Sequence, residues 1–289
     1  MTAVTTTQTT TATATATVQT GTLPVPGATL HYEVRGSGPV LLLIPGGAGD
    51  AGLYAGMAPL LAERYTVVSY DQRGLSRSPL DGPLADQRVE VWSDDALRLL
   101  DLVAPDEEAY VLGSSSGAVT ALGMLARNPG RLRRVVAHEP PLIELLAEPA
   151  PYRALFAEVR ELLRQEGVGA AMARFSEGLG GERSAERATE LPPEIQQMAA
   201  RMHANLPVFL EHVLCPFTAS VPDVAGLREA ADRLVLATGR DSRGVEPLVG
   251  PAARLSELCD AQVVEFPGGH VGATEHPREF AELLIATLA

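Results

Sequence analysis

The chain has 289 residues, 46% of them hydrophobic and 20% charged, and carries a formal net charge of −13 from 36 acidic and 23 basic residues. So acidic a balance gives a polyanion no basic face to bind, which excludes nucleic acid as an expected partner. Every basic residue is an arginine, and this removes each chemistry that needs a lysine: a pyridoxal Schiff base, a P-loop phosphate lysine, a kinase strand lysine or a Ser–Lys dyad.

Residues 1–20 are almost entirely Thr and Ala without charge. They lack the basic start and leucine-rich centre of a secretory signal and offer little to bury, so a disordered extension is expected, with an added β-edge or a short helix as the alternative. After it, Thr22–Val25 and Ala28–Arg35 flank Pro26-Gly27, a hairpin signal. Val40–Ile44 is a continuous apolar run ending in Pro-Gly-Gly, as expected of a strand buried on both faces. Similar runs follow at Thr66–Tyr70, Ala109–Leu112, Arg134–Ala137, Leu234–Ala237 and Gln262–Phe266. Between them lie amphipathic stretches at Tyr54–Arg64, Val89–Val103, Ala118–Arg127, Ala252–Leu258 and Pro277–Leu288. Strands alternating with helices predict a mostly parallel sheet covered on both faces, with the first two strands as an antiparallel edge.

The rhythm breaks between Leu142 and Pro222, where only helical patterns appear. A helical insertion over 142–222 is expected there, since a structureless loop of that length is improbable in a compact domain. The core is then 21–141 and 223–289. No apolar run reaches the roughly 20 residues of a bilayer span. Cys215 and Cys259 form no CxxC pattern and are expected to be thiols of a cytoplasmic protein. No metal-ligand cluster and no dinucleotide fingerprint is legible: His203 and His212 do not share a helix face, and no strand is followed by the required glycines.

Gly113-Ser114-Ser115-Ser116-Gly117 fits G-x-S-x-G, with a strand-like run before it and a helix-like run after it. That context is what a nucleophile elbow needs, because the tight turn projects the serine above the sheet edge. The competing role for these serines is helix capping. His270 lies in Phe266-Pro267-Gly268-Gly269-His270, just after the last strand-like run. Asp241 follows Gly239-Arg240 after the penultimate one, and Glu139 ends the sixth in Ala137-His138-Glu139-Pro140.

In order and spacing, the sequence from about Val25 to Leu288 resembles the α/β hydrolases. The resemblance implies an eight-stranded α/β sheet, a helical lid after the sixth strand, and a triad in the order serine, acid, histidine. Carried over, Ser115 is the nucleophile, His270 the base and Asp241 the acid, with Glu139 as the alternative acid. It also assigns the oxyanion hole to the N–H groups of Gly47 and Ser116, with Ala48 in place of Gly47 if the loop shifts by one residue. Pro45 stands where the family usually has histidine, which leaves open how that loop is anchored. Asp71-Gln72-Arg73-Gly74 resembles the family's D-x-R-G turn, so Asp71 and Arg73 are expected as a structural pair with Ser76 and Ser78 near the pocket.

Three functions are compatible with these residues. The first is hydrolysis of an ester, lactone or related acyl bond of a small, largely apolar molecule, without cofactor or metal. The second is a cofactor-free lyase, dioxygenase or perhydrolase on the same site, and the third a binding module. The partner expected is a small molecule, with no membrane and no nucleic acid, for a monomer or homodimer. Phe156, Met172, Phe175, Met198, Met202, Phe209 and Phe217 are the apolar candidates for the substrate pocket.

Overall fold

The computed structural model describes residues 18–179 and 193–289. Of the expected extension, 1–17 lie outside the described residues, and Gln19 and Thr20 already belong to a strand. Eight strands form one sheet: β1 (Gln19–Val25), β2 (Ala28–Arg35), β3 (Val40–Ile44), β4 (Thr66–Tyr70), β5 (Ala109–Ser114), β6 (Leu132–His138), β7 (Leu234–Gly239) and β8 (Gln262–Phe266). Their spatial order is β1-β2-β4-β3-β5-β6-β7-β8. β1 and β2 form the expected hairpin, turning at Gly27 with φ 81°, and β2 also runs antiparallel to β4. The five pairings from β4 through β3, β5, β6 and β7 to β8 are parallel.

The helices are α1 (Ala58–Leu61), α2 (Val89–Val103), α3 (Ser116–Arg127), α4 (Ala150–Glu166), α5 (Val168–Gly178), α6 (Pro193–Val208), α7 (Leu214–Thr218), α8 (Val224–Glu229), α9 (Glu246–Cys259), α10 (Gly272–Glu275) and α11 (Pro277–Leu288). The helices α4 to α8 fall between β6 and β7, the stretch where the sequence has no strand pattern. Pro207 lies inside α6 and supplies no N–H, and the chain directly beyond it widens to a π-helical turn at Phe209–Val213.

The alternation of side chains along each strand divides the core in two. Leu42, Ile44, Val68, Val111, Val135 and Ala137 face α2, α3 and the inserted helices. Leu41, Leu43, Val67, Leu112 and Val136 face α1 and α11, where Phe280 and Leu284 are fully buried. β3 is buried along its whole length, so its end, the loop 45–51, is held from both sides of the sheet. Helix α9 starts six residues before the expected Ala252. Among the described residues no helix is long and apolar enough to cross a membrane.

Candidate active site

Four of the predicted residues, Ser115, Glu139, Asp241 and His270, follow neighbouring strands at one edge of the sheet. The parallel register pairs Ser114 with His138 and His138 with Ala237. One step further along, Ser115 and Glu139 therefore stand side by side at the carboxyl ends of β5 and β6, where ligands of open α/β sheets bind. Ser115 has φ 54° and ψ −122° at the junction of β5 and α3, a backbone conformation costly for a residue with a side chain. The Ser115 N–H donates to the His138 carbonyl at 2.9 Å. The flanking glycines explain how the turn closes: a Cβ at Gly113 would collide with the Gly117 carbonyl, and one at Gly117 with the carbonyl of Ile44. Behind the turn the buried Tyr54 hydroxyl donates to the Ile44 carbonyl at 2.9 Å and lies 3.1 Å from Ser114 Oγ.

His270 follows β8 on a loop that turns at Gly268 with φ 73°. Its Nδ1 meets Glu139 Oε2 at 2.7 Å, and Glu139 Oε1 accepts the Gly239 N–H at 2.7 Å. Asp241, expected as the acid, does not meet the imidazole. It sits in a single 3₁₀ turn, Arg240–Ser242, with its side chain exposed, and it braces the histidine loop through its backbone N–H, which donates to the Gly268 carbonyl at 2.9 Å. The physical reason is register. Glu139 lies level with Ser115, whereas Asp241 comes two residues after β7 has ended. The Pro140-Pro141 pair does not carry Glu139 away, because the chain turns at Glu139 itself, with φ 47°, before the prolines begin.

Burial alone would raise the Glu139 carboxyl, but the hydrogen bond and charge of His270 outweigh it and hold the group down at about 2. The preceding residue, His138, points into the opposite core between Phe266 and Phe280. Burial lowers it to about 4, and among the described residues neither of its ring nitrogens has a partner.

Gly47 has φ 58°, and its N–H donates to Ser116 Oγ at 3.0 Å, so the two expected oxyanion donors adjoin each other. Gln72, not a histidine, anchors the loop start by donating from Nε2 to the Pro45 carbonyl. The Gly49 N–H closes a turn onto the Gly46 carbonyl at 2.9 Å, and Asp71 Oδ1 accepts the Ala51 N–H at 2.9 Å. Asp71 and Arg73 are not each other's partners. Arg73 forks onto the buried Asp95 at 2.6 and 2.7 Å, and Asp71 pairs with Arg77 at 2.7 Å. Ser76 and Ser78 serve loop hydrogen bonds and do not line the pocket.

Ser115 and His270 open on one cavity. Phe156, Phe175, Phe209 and Phe217 line it, with Phe175 edge-on to Phe209 at 6.0 Å, whereas Met172, Met198 and Met202 stand elsewhere. His203 is exposed, and His212 pairs with Asp86 at 3.0 Å. Among the described residues no cluster of three or more metal-ligating side chains occurs, and both cysteines are free thiols. Sequence reasoning missed Gln72, Tyr54 and Asn205. The polar pair Arg201 and Asn205, one helical turn apart in an otherwise amphipathic helix, was the available signal for the last of these.

The sheet order, the serine turn between β5 and α3 and the helical insertion are those of an α/β hydrolase, and the chain belongs to that family. The family model described as alpha/beta hydrolase fold matches residues 39–178. An uncharacterized hydrolase of Bacillus subtilis, YraK, is 37% identical over 92% of this chain and 95% of its own. The zearalenone hydrolase of Bionectria ochroleuca is 25% identical over 90% of this chain and 94% of its own. Among solved structures, a thermophilic esterase from Thermogutta terrifontis superposes with a TM-score of 0.73 at 18% identity, covering 93% of this chain and 98% of that one. The protein is thus a hydrolase of the α/β fold.

Proposed function

We propose that the protein hydrolyses an ester, lactone or related acyl bond of a small, largely apolar molecule through Ser115, His270 and Glu139. The observation that carries this reading is the 2.7 Å contact between His270 Nδ1 and Glu139 Oε2, on the same cavity as a serine held in a strained turn. A carboxylate on Nδ1 keeps the proton there and leaves Nε2 free to take the proton of the Ser115 hydroxyl. Ser115 Oγ then attacks the acyl carbon. The tetrahedral intermediate collapses as the imidazolium returns that proton to the leaving alkoxide. Water, deprotonated by the same nitrogen, releases the acid from the acyl-enzyme.

The oxygen that becomes negative in both steps is received by the Gly47 and Ser116 N–H groups. Ser116 opens α3, and a first-turn N–H has no acceptor within its helix. Such fixed backbone donors pre-exist the charge they stabilise. Apart from His270, the described residues that line the cavity carry no ionisable side chain, which favours a neutral substrate with an apolar acyl part. The hydrolase and esterase names of the relatives agree with this class.

A fluorophosphonate probe, followed by peptide mass mapping, tests the assignment together with a screen of p-nitrophenyl esters and lactones. The expected result is stoichiometric modification of Ser115 and turnover that Ser115→Ala abolishes. Turnover that survives in Ser115→Ala refutes the proposal.

A further inference from the structure

Gly47 sits in the left-handed region with φ 58°. A glycine there has wide backbone freedom, so the direction of its N–H, which Ser116 Oγ and the Gly49 N–H on the Gly46 carbonyl already bias, depends also on what grips the peptides on either side. On the near side the grip comes from the core, through Gln72 on the Pro45 carbonyl. On the far side it comes from the inserted helix α6. Asn205, only 4% exposed, donates from Nδ2 to the Ala48 carbonyl at 2.9 Å and to Ser76 Oγ at 2.8 Å, while its Oδ1 accepts the Ser76 N–H at 2.8 Å. One turn earlier Arg201 forks onto Asp50, which is fully buried and caps the 3₁₀ turn after the loop through the Gly52 N–H at 2.8 Å. Ser76 Oγ adds a donor to the same Asp50 carboxylate at 3.0 Å. Three of the four hydrogen-bonding sites of the Asn205 amide are thus used, and all three span the insertion and the core.

Resting on the reading above, in which Gly47 donates to the oxyanion, we propose that Asn205 is a positioning residue for the hydrolysis. By holding the Ala48 carbonyl it aims the Gly47 N–H, so the oxyanion hole is completed by a residue of the inserted helix α6. Asn205→Ala removes all three bonds. Asn205→Asp keeps the shape and the acceptor for the Ser76 N–H, but turns a carboxylate oxygen onto the Ala48 carbonyl.

The test measures kcat and KM per fluorophosphonate-titrated site for both variants, inhibition by an alkylboronic acid that forms a tetrahedral adduct on serine, and Tm. Losing one oxyanion donor costs about 10²–10³-fold in kcat, and a misdirected donor should cost a part of that. The expected result is a fall in kcat of about 10- to 100-fold in both variants, with KM changed less than about threefold and boronate affinity weakened in parallel with kcat/KM. A structural role alone would lower Tm and the number of titratable sites while turnover per site and boronate affinity stay at the wild-type level, and that result overturns the proposal. Asn205→Asp, the isosteric change, decides the matter if Asn205→Ala does not fold. Ser115→Ala, assayed alongside, separates the two readings: its loss of activity with normal turnover in the Asn205 variants rejects the positioning role only, whereas its retention of activity rejects the serine mechanism itself.

Discussion

The Gly47 N–H donates to the Ser116 hydroxyl at 3.0 Å, which ties the loop after β3 to the first residue of α3. In the proposed reaction a substrate oxygen received by the Gly47 N–H competes with that hydroxyl for it. A neutral hydrogen bond is worth about 1 kcal/mol net, a factor of about five in an equilibrium. Ser116→Ala keeps the backbone N–H of residue 116 and removes the competitor, so kcat/KM on a p-nitrophenyl ester is expected to rise about three- to fivefold. A tenfold fall would mean that the hydroxyl itself donates to the oxyanion.

Glu139 and Asp241 separate cleanly by mutation. In Glu139→Gln the amide can still accept the Gly239 N–H, but it then presents an NH₂ group to His270 Nδ1 and favours the tautomer that cannot take a proton from Ser115. Loss of kcat approaching about 10⁴-fold is expected, as for other triad acids. Asp241→Asn leaves the backbone bond to Gly268 intact and should change kcat less than threefold. Steady-state kinetics on one ester compares the two directly, and a larger loss in Asp241→Asn would contradict the observed pairing.

Acid should destabilise the protein in two stages. His138 is lowered from 6.5 to about 4 in the fold, so below 6.5 the unfolded chain binds more protons. Above pH 6.5 the ring is neutral in both states, and holding it uncharged in the core costs progressively more as the pH falls toward 4. Glu139, lowered from 4.5 to about 2, contributes fully above pH 4.5 and loses its contribution between there and 2. Urea unfolding at pH 7.5, 5.5 and 4.5 should show stability falling across the series, and His138→Leu should flatten that fall.

The serine turn admits no side chain at Gly117. A Cβ there would enter the space of the Ile44 carbonyl, which is backbone of a fully buried strand and has no room to yield. Gly117→Ala is expected to destabilise by about 1–3 kcal/mol, the range of overpacked cores. It should also displace Ser115, so thermal unfolding and fluorophosphonate labelling should both be impaired. An unchanged Tm with full labelling would refute the packing argument.

Much of this architecture was legible in the chain itself. Continuous apolar runs such as Val40–Ile44 mark strands that are buried on both faces, and Pro26-Gly27 marks the hairpin, because local sterics and burial act on residues close in sequence. The positions of Ser115 and His270 were legible for the same reason: each stands on a glycine-rich turn at the end of a strand-like run.

Which carboxylate meets His270 lay beyond such reasoning, since Glu139 and Asp241 both follow strands that end at the same sheet edge. It was decided by the parallel register, which sets Glu139 level with Ser115, and by the turn at Glu139 itself, which aims the carboxylate at His270. The anchoring of the oxyanion loop by Gln72 and Asn205 was equally hidden. A hydrogen bond between Asn205 and Ala48 joins residues far apart in the chain, and only the packing of α6 onto the core brings them within 2.9 Å. Residue type and short spacing thus determined the elements and the chemistry available to them. Which of those side chains meet was determined by the strand register and the seating of the inserted helices, because hydrogen bonds act over about 3 Å and the chain order places no constraint at that scale.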